Sequence, residues 1–182
     1  METCIVEGNI SVKAVLLGKK RKVHKILVDA KKKDKDTAFI LHKAKEAQVD
    51  ITYMKREEID ALATGKTHGG IIAYCGQRKY QNLEELVNKK QVFLALVEGV
   101  EDPFNFGYVL RTLYAACCDG VLVPLRNWTT AADVVTRASA GASEYINIII
   151  ADDMEDTLTY LHQKDIMLLC AQRKDAISLY SY

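Results

Sequence analysis

Short apolar runs alternate with helical patterns in the second half of the chain, and this alternation most restricts the folds that the chain can adopt. The apolar runs span residues 92–97, 120–123, 145–150 and 166–171. Apolar residues at helical spacing lie between them, over residues 104–117, 131–139 and 154–163. A run that is apolar throughout predicts a strand buried on both faces, as parallel sheets require. The alternation therefore predicts an α/β domain with a parallel, doubly wound sheet.

The first part of the chain predicts a smaller α/β unit. Its helical patterns cover residues 7–17, 37–48 and 55–63, and its strand patterns cover residues 25–28, 49–54 and 71–75. We expect the strand over 49–54 to pair with residues 26–28. The boundary between the two units lies near Arg78, so the predicted domains are residues 1–78 and 79–182.

The two predicted domains carry opposite net charges. Residues 1–78 contain 16 Lys and Arg against 10 Asp and Glu, whereas residues 79–182 contain 9 against 14. The first domain therefore has a net charge of +6 and the second a net charge of −5, although the whole chain has a net charge of only +1. A basic domain favours binding to a polyanion, because Lys and Arg release counterions when they meet phosphates. A solvated, lysine-rich surface is an equally good interpretation of the charge alone.

Several classes of protein are disfavoured. The five cysteines have no C-x-x-C spacing and indicate buried thiols in a reducing cytoplasm, and the four histidines are scattered, so we expect no metal site. No apolar run approaches the roughly 18 residues of a membrane span, so we expect a soluble, cytoplasmic protein without membrane contact. Gly65-Lys66-Thr67 does not complete a phosphate-binding P-loop, because Asp60 stands where that motif needs glycine.

A candidate site begins after the first apolar run of the second domain, where a helix starts. Asp102 is a typical helix N-cap, and Pro103 suits the first helical position. Asn105, Gly107 and Arg111 follow on this helix, and the last two share one face, where glycine leaves backbone bare for another group to approach. A capping Asn and a solvated Arg are the structural alternatives. The apolar positions expected to face the sheet are Phe106, Val109, Leu110, Leu113 and Cys117.

This helix start resembles the first motif of the SpoU (TrmH-type) RNA ribose 2′-O-methyltransferases, within the SPOUT superfamily. The matching residues are Asp102, Pro103, Asn105, Gly107, Arg111 and Thr112. A second stretch, RASAGASE at residues 137–144, is similar to the family's Ser-x-Gly-Ala-x-Glu signature. Segments of the first domain resemble the substrate-binding domain of the same family, at Glu7-Gly8-x-x-x-Val12 and Gly65-x-x-x-His68-x-Gly70. Two motifs in order are far more specific than either alone.

The resemblance implies transfer of a methyl group from S-adenosylmethionine to a ribose 2′-hydroxyl of rRNA or tRNA. It also implies a small α/β RNA-binding domain, a SPOUT domain with a trefoil knot, and a homodimer. Arg111 corresponds to the family's catalytic arginine. Because a guanidinium stays protonated at neutral pH, an Arg is a poor general base, and we favour a role as phosphate clamp and orienter. Asn105 would position the ribose or Arg111, and Glu144 would hold the active-site network through a charged hydrogen bond.

The resemblance also implies contacts to cofactor and RNA. The expected cofactor-binding residues are Ser139, Gly141, Ala142 and, after the last predicted strand, Ala171 and Gln172. Gly141 has a structural alternative as the first residue past the end of a helix. The basic residues expected to grip RNA backbone are Lys19, Lys20, Arg21, Lys22, Lys31, Lys32 and Lys33. We expect Tyr53 and Tyr74 to pack in the core rather than stack on bases.

The chain departs from the family pattern in places. The family's third motif is absent from residues 175–182, so we expect the knot only with a further C-terminal segment, and residues 1–182 to be inactive alone. Cys117 replaces a usual Gly and Asn147 a usual Pro. Two other classes stay open: a non-catalytic RNA-binding or ribosome-assembly factor, and a doubly wound regulator that binds a small nucleotide. Retention of Asn105, Arg111 and Glu144 argues against the first, since a purely binding role has no use for that trio.

Overall fold

The computed structural model describes residues 3–125 and 131–181. The elements between Cys4 and Arg78 form a first α/β domain. The elements of this first domain are β1 (Cys4–Glu7), α1 (Asn9–Gly18), β2 (Arg21–Asp29), α2 (Lys35–Glu46), β3 (Asp50–Met54), α3 (Arg56–Leu62) and β4 (Ile71–Arg78). They build one sheet in the order β1-β4-β2-β3, in which β2 and β3 run parallel and the other neighbours antiparallel. Ile26 lies opposite Ile51, so the predicted pairing of β3 with residues 26–28 is confirmed. The sequence pattern missed β1, whose four residues are too few to display a period.

Helices cover both faces of this sheet and complete its core. The fully buried side chains between the sheet, α1 and α2 include Val12, Val15, Ile26, Ile40 and Ile71. On the other face, Ile59 of α3 packs with Leu27 and Ile72. Alternate residues of each central strand therefore enter opposite cores, as the pleat of a β-strand dictates.

The second domain contains a parallel sheet, as predicted. Its elements are α4 (Leu83–Val87), β5 (Leu94–Leu96), α5 (Pro103–Ala115), β6 (Gly120–Pro124), α6 (Ala132–Ala138), β7 (Ile148–Ala151) and α7 (Met154–Gln163), with 3₁₀ turns at Ala142–Glu144 and Leu179–Ser181. The strand order is β5-β6-β7, and both neighbouring pairs are parallel. Among the described residues, no helix is both long and apolar enough to cross a membrane.

Two predictions about the second sheet are wrong. Residues 166–171 are irregular, and Met167 and Leu169 there are 62% and 58% exposed. β5 is an edge strand whose Leu96 is 37% exposed, rather than a strand buried on both faces. An apolar run gives a segment the propensity for a strand, but its backbone groups also need a neighbouring strand. No strand in the described part of the chain pairs with residues 166–171.

Helix α5, which carries the first motif, starts as predicted. Asp102 Oδ1 accepts a hydrogen bond from Asn105 N at 2.8 Å, and Pro103 is the first helical residue. Phe106 and Leu110 are buried in the core beneath the helix. The cap and the apolar stripe together fix which residues of α5 remain on its outer faces.

The cysteines differ from prediction at two positions. Cys117 lies beyond the end of α5 with a left-handed φ of 59° and is exposed instead of facing the sheet. Cys170 is exposed in the irregular segment after α7. The remaining thiols are buried as expected, and burial raises the pKa of each: Cys4, Cys75 and Cys118.

Candidate active site

The C-terminal end of α6 lies directly against α5 at Gly107. A Cβ placed on this glycine would lie 2.6 Å from the Cβ of Ala138 and 3.0 Å from the nitrogen of Ser139, which leaves no room for a side chain. The bare backbone at Gly107 therefore admits α6 rather than a ligand. This close approach brings the two sequence motifs together.

After α6 the chain makes a tight turn, here called the 139–145 turn. Gly141 N donates to Thr136 O at 2.8 Å, as in a Schellman ending. The first residue after the helix cap is Ala140, with φ 51°, and Gly141 follows with φ 85°, so Gly141 is the second left-handed residue rather than the first. Ser139 Oγ accepts a hydrogen bond from Ser143 N at 3.1 Å and fixes the turn internally.

A cleft of about 230 Å³, here called the Arg111 cleft, opens between α5 and the 139–145 turn. Its lining residues are Arg111, Tyr114, Ala115, Ser139, Ala140, Ala142 and Tyr145. The structure thus brings together three of the residues predicted for the site: Arg111, Ser139 and Ala142. Arg111 is an exposed residue that lines the cleft, so it is accessible to a ligand there.

Two tyrosines in the Arg111 cleft were missed by the sequence reasoning. The rings of Tyr114 and Tyr145 stack with centroids 5.8 Å apart and planes inclined by 24°. Burial raises the pKa of Tyr145, and the neighbouring Tyr114 adds to the rise. The available signal was the position of Tyr114 three residues after Arg111, which places both on one helix face.

Five residues predicted for the site lie outside this cleft, and Glu144 is one of them. Asn105 is exposed near the start of α5 and, six residues before Arg111, points about 120° away from it around the helix. Gly141 faces α1, where a Cβ would lie 2.6 Å from a side-chain carbon of that helix. Ala171 and Gln172 are exposed in the irregular segment after α7, because the strand expected to end there does not form.

Glu144 lies on the opposite side of the 139–145 turn, fully buried against the first domain. Its two oxygens accept hydrogen bonds from Arg21 Nε at 3.1 and 3.2 Å, and one also accepts from Arg78 Nη1 at 3.4 Å and from Thr136 Oγ1 at 3.4 Å. We call Arg21, Arg78 and Glu144 the buried ion cluster. Glu144 therefore connects the two domains and does not enter the Arg111 cleft, contrary to its expected place in the active-site network.

The buried ion cluster contains two guanidinium groups and one carboxylate. Burial lowers the pKa of Arg78, although Glu144 opposes this effect. Burial also opposes the charge of Arg21, but the closer, two-oxygen contact with Glu144 outweighs it and the pKa of Arg21 is raised. Since Arg remains protonated at neutral pH in either case, one positive charge is in excess in this buried region. Arg78 Nε is also buried without a hydrogen-bond partner in the described part of the chain.

The backbone of α1 touches that of the 139–145 turn, which leads to a prediction for stability. A Cβ on Gly18 would lie 2.0 Å from the carbonyl oxygen of Glu144. A Gly-to-Ala change within a helix is otherwise neutral or stabilising. A loss of stability in Gly18→Ala would therefore be due to the clash with Glu144. We expect Gly18→Ala to lower the free energy of unfolding by about 1–3 kcal/mol, measured by urea denaturation. Lys45→Ala, on the exposed surface of α2, is the control, and equal midpoints for the two variants would contradict the contact.

Some of the basic residues expected to bind RNA have exposed side chains, whereas the others are engaged in contacts with residues of this protein. Arg21 is buried in the ion cluster and so is not available to RNA, which corrects the expectation for this residue. Lys20 Nζ donates to Asn147 Oδ1 at 2.7 Å, and Lys32 Nζ pairs with Asp34 at 2.7 Å. The four exposed members of the set are Lys19, Lys22, Lys31 and Lys33. Sequence alone did not identify Arg21 and Lys20 as engaged, because their partners lie 123 and 127 residues away. The partner of Lys32 is only two residues further along the chain.

Aromatic residues of the first domain also differ from expectation. Tyr53 on the edge strand β3 is 58% exposed, so the prediction that it packs in the core is wrong. Tyr74 is half-buried on the inner strand β4, in partial agreement with that prediction. Tyr80 is 43% exposed just beyond β4. Two of these three rings are therefore accessible for stacking.

The motif residues of the first domain fix the loop between α3 and β4. Glu7 is buried and accepts hydrogen bonds from Gly65 N at 3.1 Å, and His68 Nε2 lies 3.0 Å from Asp60 Oδ1. Arg137 of α6 donates to Thr67 of this loop at 3.2 Å, which adds a second contact between the domains. In the described ranges, no group of three or more His, Cys, Asp or Glu is arranged to hold a metal ion.

The chain matches two family models. The model described as SpoU rRNA Methylase family matches residues 91–182, and the model described as RNA 2'-O ribose methyltransferase substrate binding matches residues 5–81. A Staphylococcus aureus (strain COL) protein assigned to the TrmH family of tRNA/rRNA methyltransferases is 28% identical over 167 residues, covering 88% of this chain and 66% of that protein. A Bacillus subtilis (strain 168) protein with the same assignment, YacO, is 26% identical over 154 residues, covering 82% and 61%.

Solved structures with a similar fold belong to the same group. The crystal structure of an RNA 2′-O ribose methyltransferase has a TM-score of 0.70 at 20% identity and covers 90% of this chain and 60% of that one. The SpoU methyltransferase AviRb from Streptomyces viridochromogenes, in complex with the cofactor AdoMet, has a TM-score of 0.67 at 14% identity, covering 90% and 59%. At these identities the likeness shows the fold. The chain spans about two thirds, or less, of the length of these relatives.

Proposed function

The chain belongs to the SpoU rRNA methylase family, and from that premise we propose that it methylates a ribose 2′-hydroxyl of RNA with S-adenosylmethionine as the methyl donor. The observation that carries the proposal is the Arg111 cleft, which is lined both by an exposed arginine of the first motif and by small residues of the second. RNA of the ribosome or tRNA is the proposed substrate. A homodimer is part of the proposal and is supported by the exposed rings of Phe104 and Tyr108 on α5.

The lining of the Arg111 cleft fits the methyl donor. Ser139, Ala140 and Ala142 are small, so a ligand can approach the backbone of the turn closely. The stacked rings of Tyr114 and Tyr145 offer π faces, which attract cations such as a sulfonium. The donor supplies a methyl group that its positive sulfur already activates, so the protein has chiefly to orient the acceptor.

Arg111 is proposed to bind the RNA phosphate beside the target ribose. A guanidinium presents a planar fork of donors that matches a phosphate group with two hydrogen bonds. This contact would hold the 2′-hydroxyl in line with the methyl group. The same charge makes Arg111 a poor proton acceptor, which favours the clamp over the general base. Asn105 lies outside the cleft, and its proposed contact is with RNA that extends along α5.

One assay tests both the reaction and its position on the nucleotide. The full-length protein, labelled S-adenosylmethionine and unmodified rRNA or tRNA are expected to give labelled RNA. Alkali cleaves RNA through the 2′-hydroxyl, so a 2′-O-methyl group should appear in an alkali-resistant dinucleotide. Label in mononucleotides would contradict the ribose position. Tight RNA binding without methyl transfer would favour the non-catalytic RNA-binding alternative.

The exposed lysines of the first domain are proposed to contact RNA backbone, which predicts a change in salt dependence. The double variants Lys19→Gln with Lys22→Gln, and Lys31→Gln with Lys33→Gln, should weaken RNA binding. The slope of log K against log salt should fall by about 0.7 for each phosphate of a single strand that the variant no longer neutralises. Fluorescence anisotropy between low and moderate salt measures this slope. The charge-matched control is Lys45→Gln with Lys90→Gln, which also removes two exposed lysines, and slopes equal to that of the control would contradict the proposed RNA-binding role.

A further inference from the structure

The buried ion cluster and the Arg111 cleft lie on opposite sides of the same 139–145 turn. Ser139, Ala142 and Tyr145 line the cleft, whereas Glu144 turns its side chain toward the first domain. The 139–145 turn thus separates the Arg111 cleft from the buried ion cluster. A shift of the backbone at Glu144 toward or away from the arginines would also move Ala142 and Tyr145, because the same short stretch of backbone carries all three.

The first domain contacts this turn and the residues just after it at several further points. Arg78 Nη2 donates to Ile146 O at 2.9 Å, and Lys20 Nζ binds the side chain of Asn147. α1 also packs closely on the turn, with Gly18 against the backbone of Glu144 and Ala14 against Gly141. The contacts therefore extend from the middle of the turn to the start of β7, and each comes from the first domain.

The composition of the cluster points to a role other than stability. Two cations share one anion away from water, and Arg78 Nε has no partner among the described residues. Burying charges costs solvation free energy, and apolar residues of similar volume often stabilise a fold better. The distinctive effect of this cluster is geometric, because two guanidinium groups contact one carboxylate and fix its position.

We propose that Arg21 and Arg78 are positioning residues for the methyl donor. Through Glu144 they hold the 139–145 turn in the form that completes the Arg111 cleft, so that docking of the first domain sets the affinity of the second domain for S-adenosylmethionine. The inference rests on the proposed function, since it names what completes that site. Neither Arg21 nor Arg78 lines the Arg111 cleft, so both would act on it through the turn.

Arg21→Gln in the full-length protein is the sharpest test. The variant leaves Arg78 and Glu144 as a pair of opposite charges, so it removes the excess positive charge of the buried region. We expect the Kd for S-adenosylmethionine by calorimetry, and its KM in the methyl-transfer assay, to rise about tenfold, with kcat recovered at saturating donor. Arg21→Lys retains one donor toward Glu144 and should recover part of the affinity. Lys45→Gln makes the same change of charge on the exposed face of α2 and should match the wild type.

The outcomes separate this inference from the proposed function. A variant that is only less stable loses active molecules, so its kcat falls while its KM stays constant, and that result would overturn the inference. Failure of the wild-type protein to bind S-adenosylmethionine would contradict the proposed function instead. Hydrogen exchange of residues 139–147 tests separately whether Arg21 holds the turn: faster exchange in Arg21→Gln than in Lys45→Gln supports this step, and equal exchange overturns the inference.

Discussion

Replacing Arg111 with alanine is expected to abolish methyl transfer while the affinity for S-adenosylmethionine stays close to that of the wild type. Arg111 is exposed on α5, so its removal should leave the fold intact. Its proposed contribution is to hold the target nucleotide in line with the methyl group, and loss of such orientation lowers the rate by about a hundredfold or more. Single-turnover methyl transfer and calorimetry with the donor measure the two quantities separately.

The controls for Arg111 address charge and geometry. Lys90→Ala removes an exposed cation of the second domain outside the cleft and should leave the rate unchanged. Arg111→Lys keeps the charge but loses the planar fork, so we expect an intermediate rate. Near-normal turnover by the alanine variant would remove Arg111 from the mechanism.

Glu144→Gln is expected to give the largest loss of stability among the changes considered. The substitution keeps the shape of the side chain but leaves Arg21 and Arg78 as two buried cations without an anion. Removing one partner of a buried ion pair typically costs about 3–5 kcal/mol. Urea denaturation measures the loss, and Glu98→Gln, which makes the same charge change at an exposed position, should cost less than about 0.5 kcal/mol.

A second variant checks the electrostatic origin of this loss. Adding Arg21→Gln to Glu144→Gln removes one of the two unpaired cations, so the double variant should recover part of the stability. The interaction energy follows from the double-mutant cycle. A double variant that is less stable than Glu144→Gln by the full cost of Arg21→Gln alone would indicate that charge imbalance is not the cause.

Local patterns in the sequence predicted most elements of the fold. The start of α5 followed from Asp102 and Pro103, which act within one helical turn, and α7 was predicted at its observed bounds. Parallel pairing in the second domain followed from the alternation of strands and helices. These features depend on neighbours in sequence, so one chain contains the information needed to predict them.

Features that depend on distant residues were not predictable in the same way. Arg21 belongs to a basic run, and its burial follows from Glu144, which is 123 residues away. Residues 166–171 have the composition of a strand, but pairing depends on a partner that composition does not reveal. For the candidate site, the motifs predicted that Arg111, Ser139 and Ala142 matter, whereas the rotation of Asn105 away from Arg111 follows from helical geometry that could have been applied to the sequence.

The ion cluster at the domain boundary also limits how this protein can be recombined. A chimera that grafts the first half of a relative onto this second half would bury Glu144 opposite whatever residues occupy positions 21 and 78. Unless the grafted first half supplies cations at positions 21 and 78, the carboxylate of Glu144 would be buried without a partner of opposite charge. A chimera that exchanges the first domains of two relatives therefore has to carry these arginines together with the proposed RNA-binding lysines.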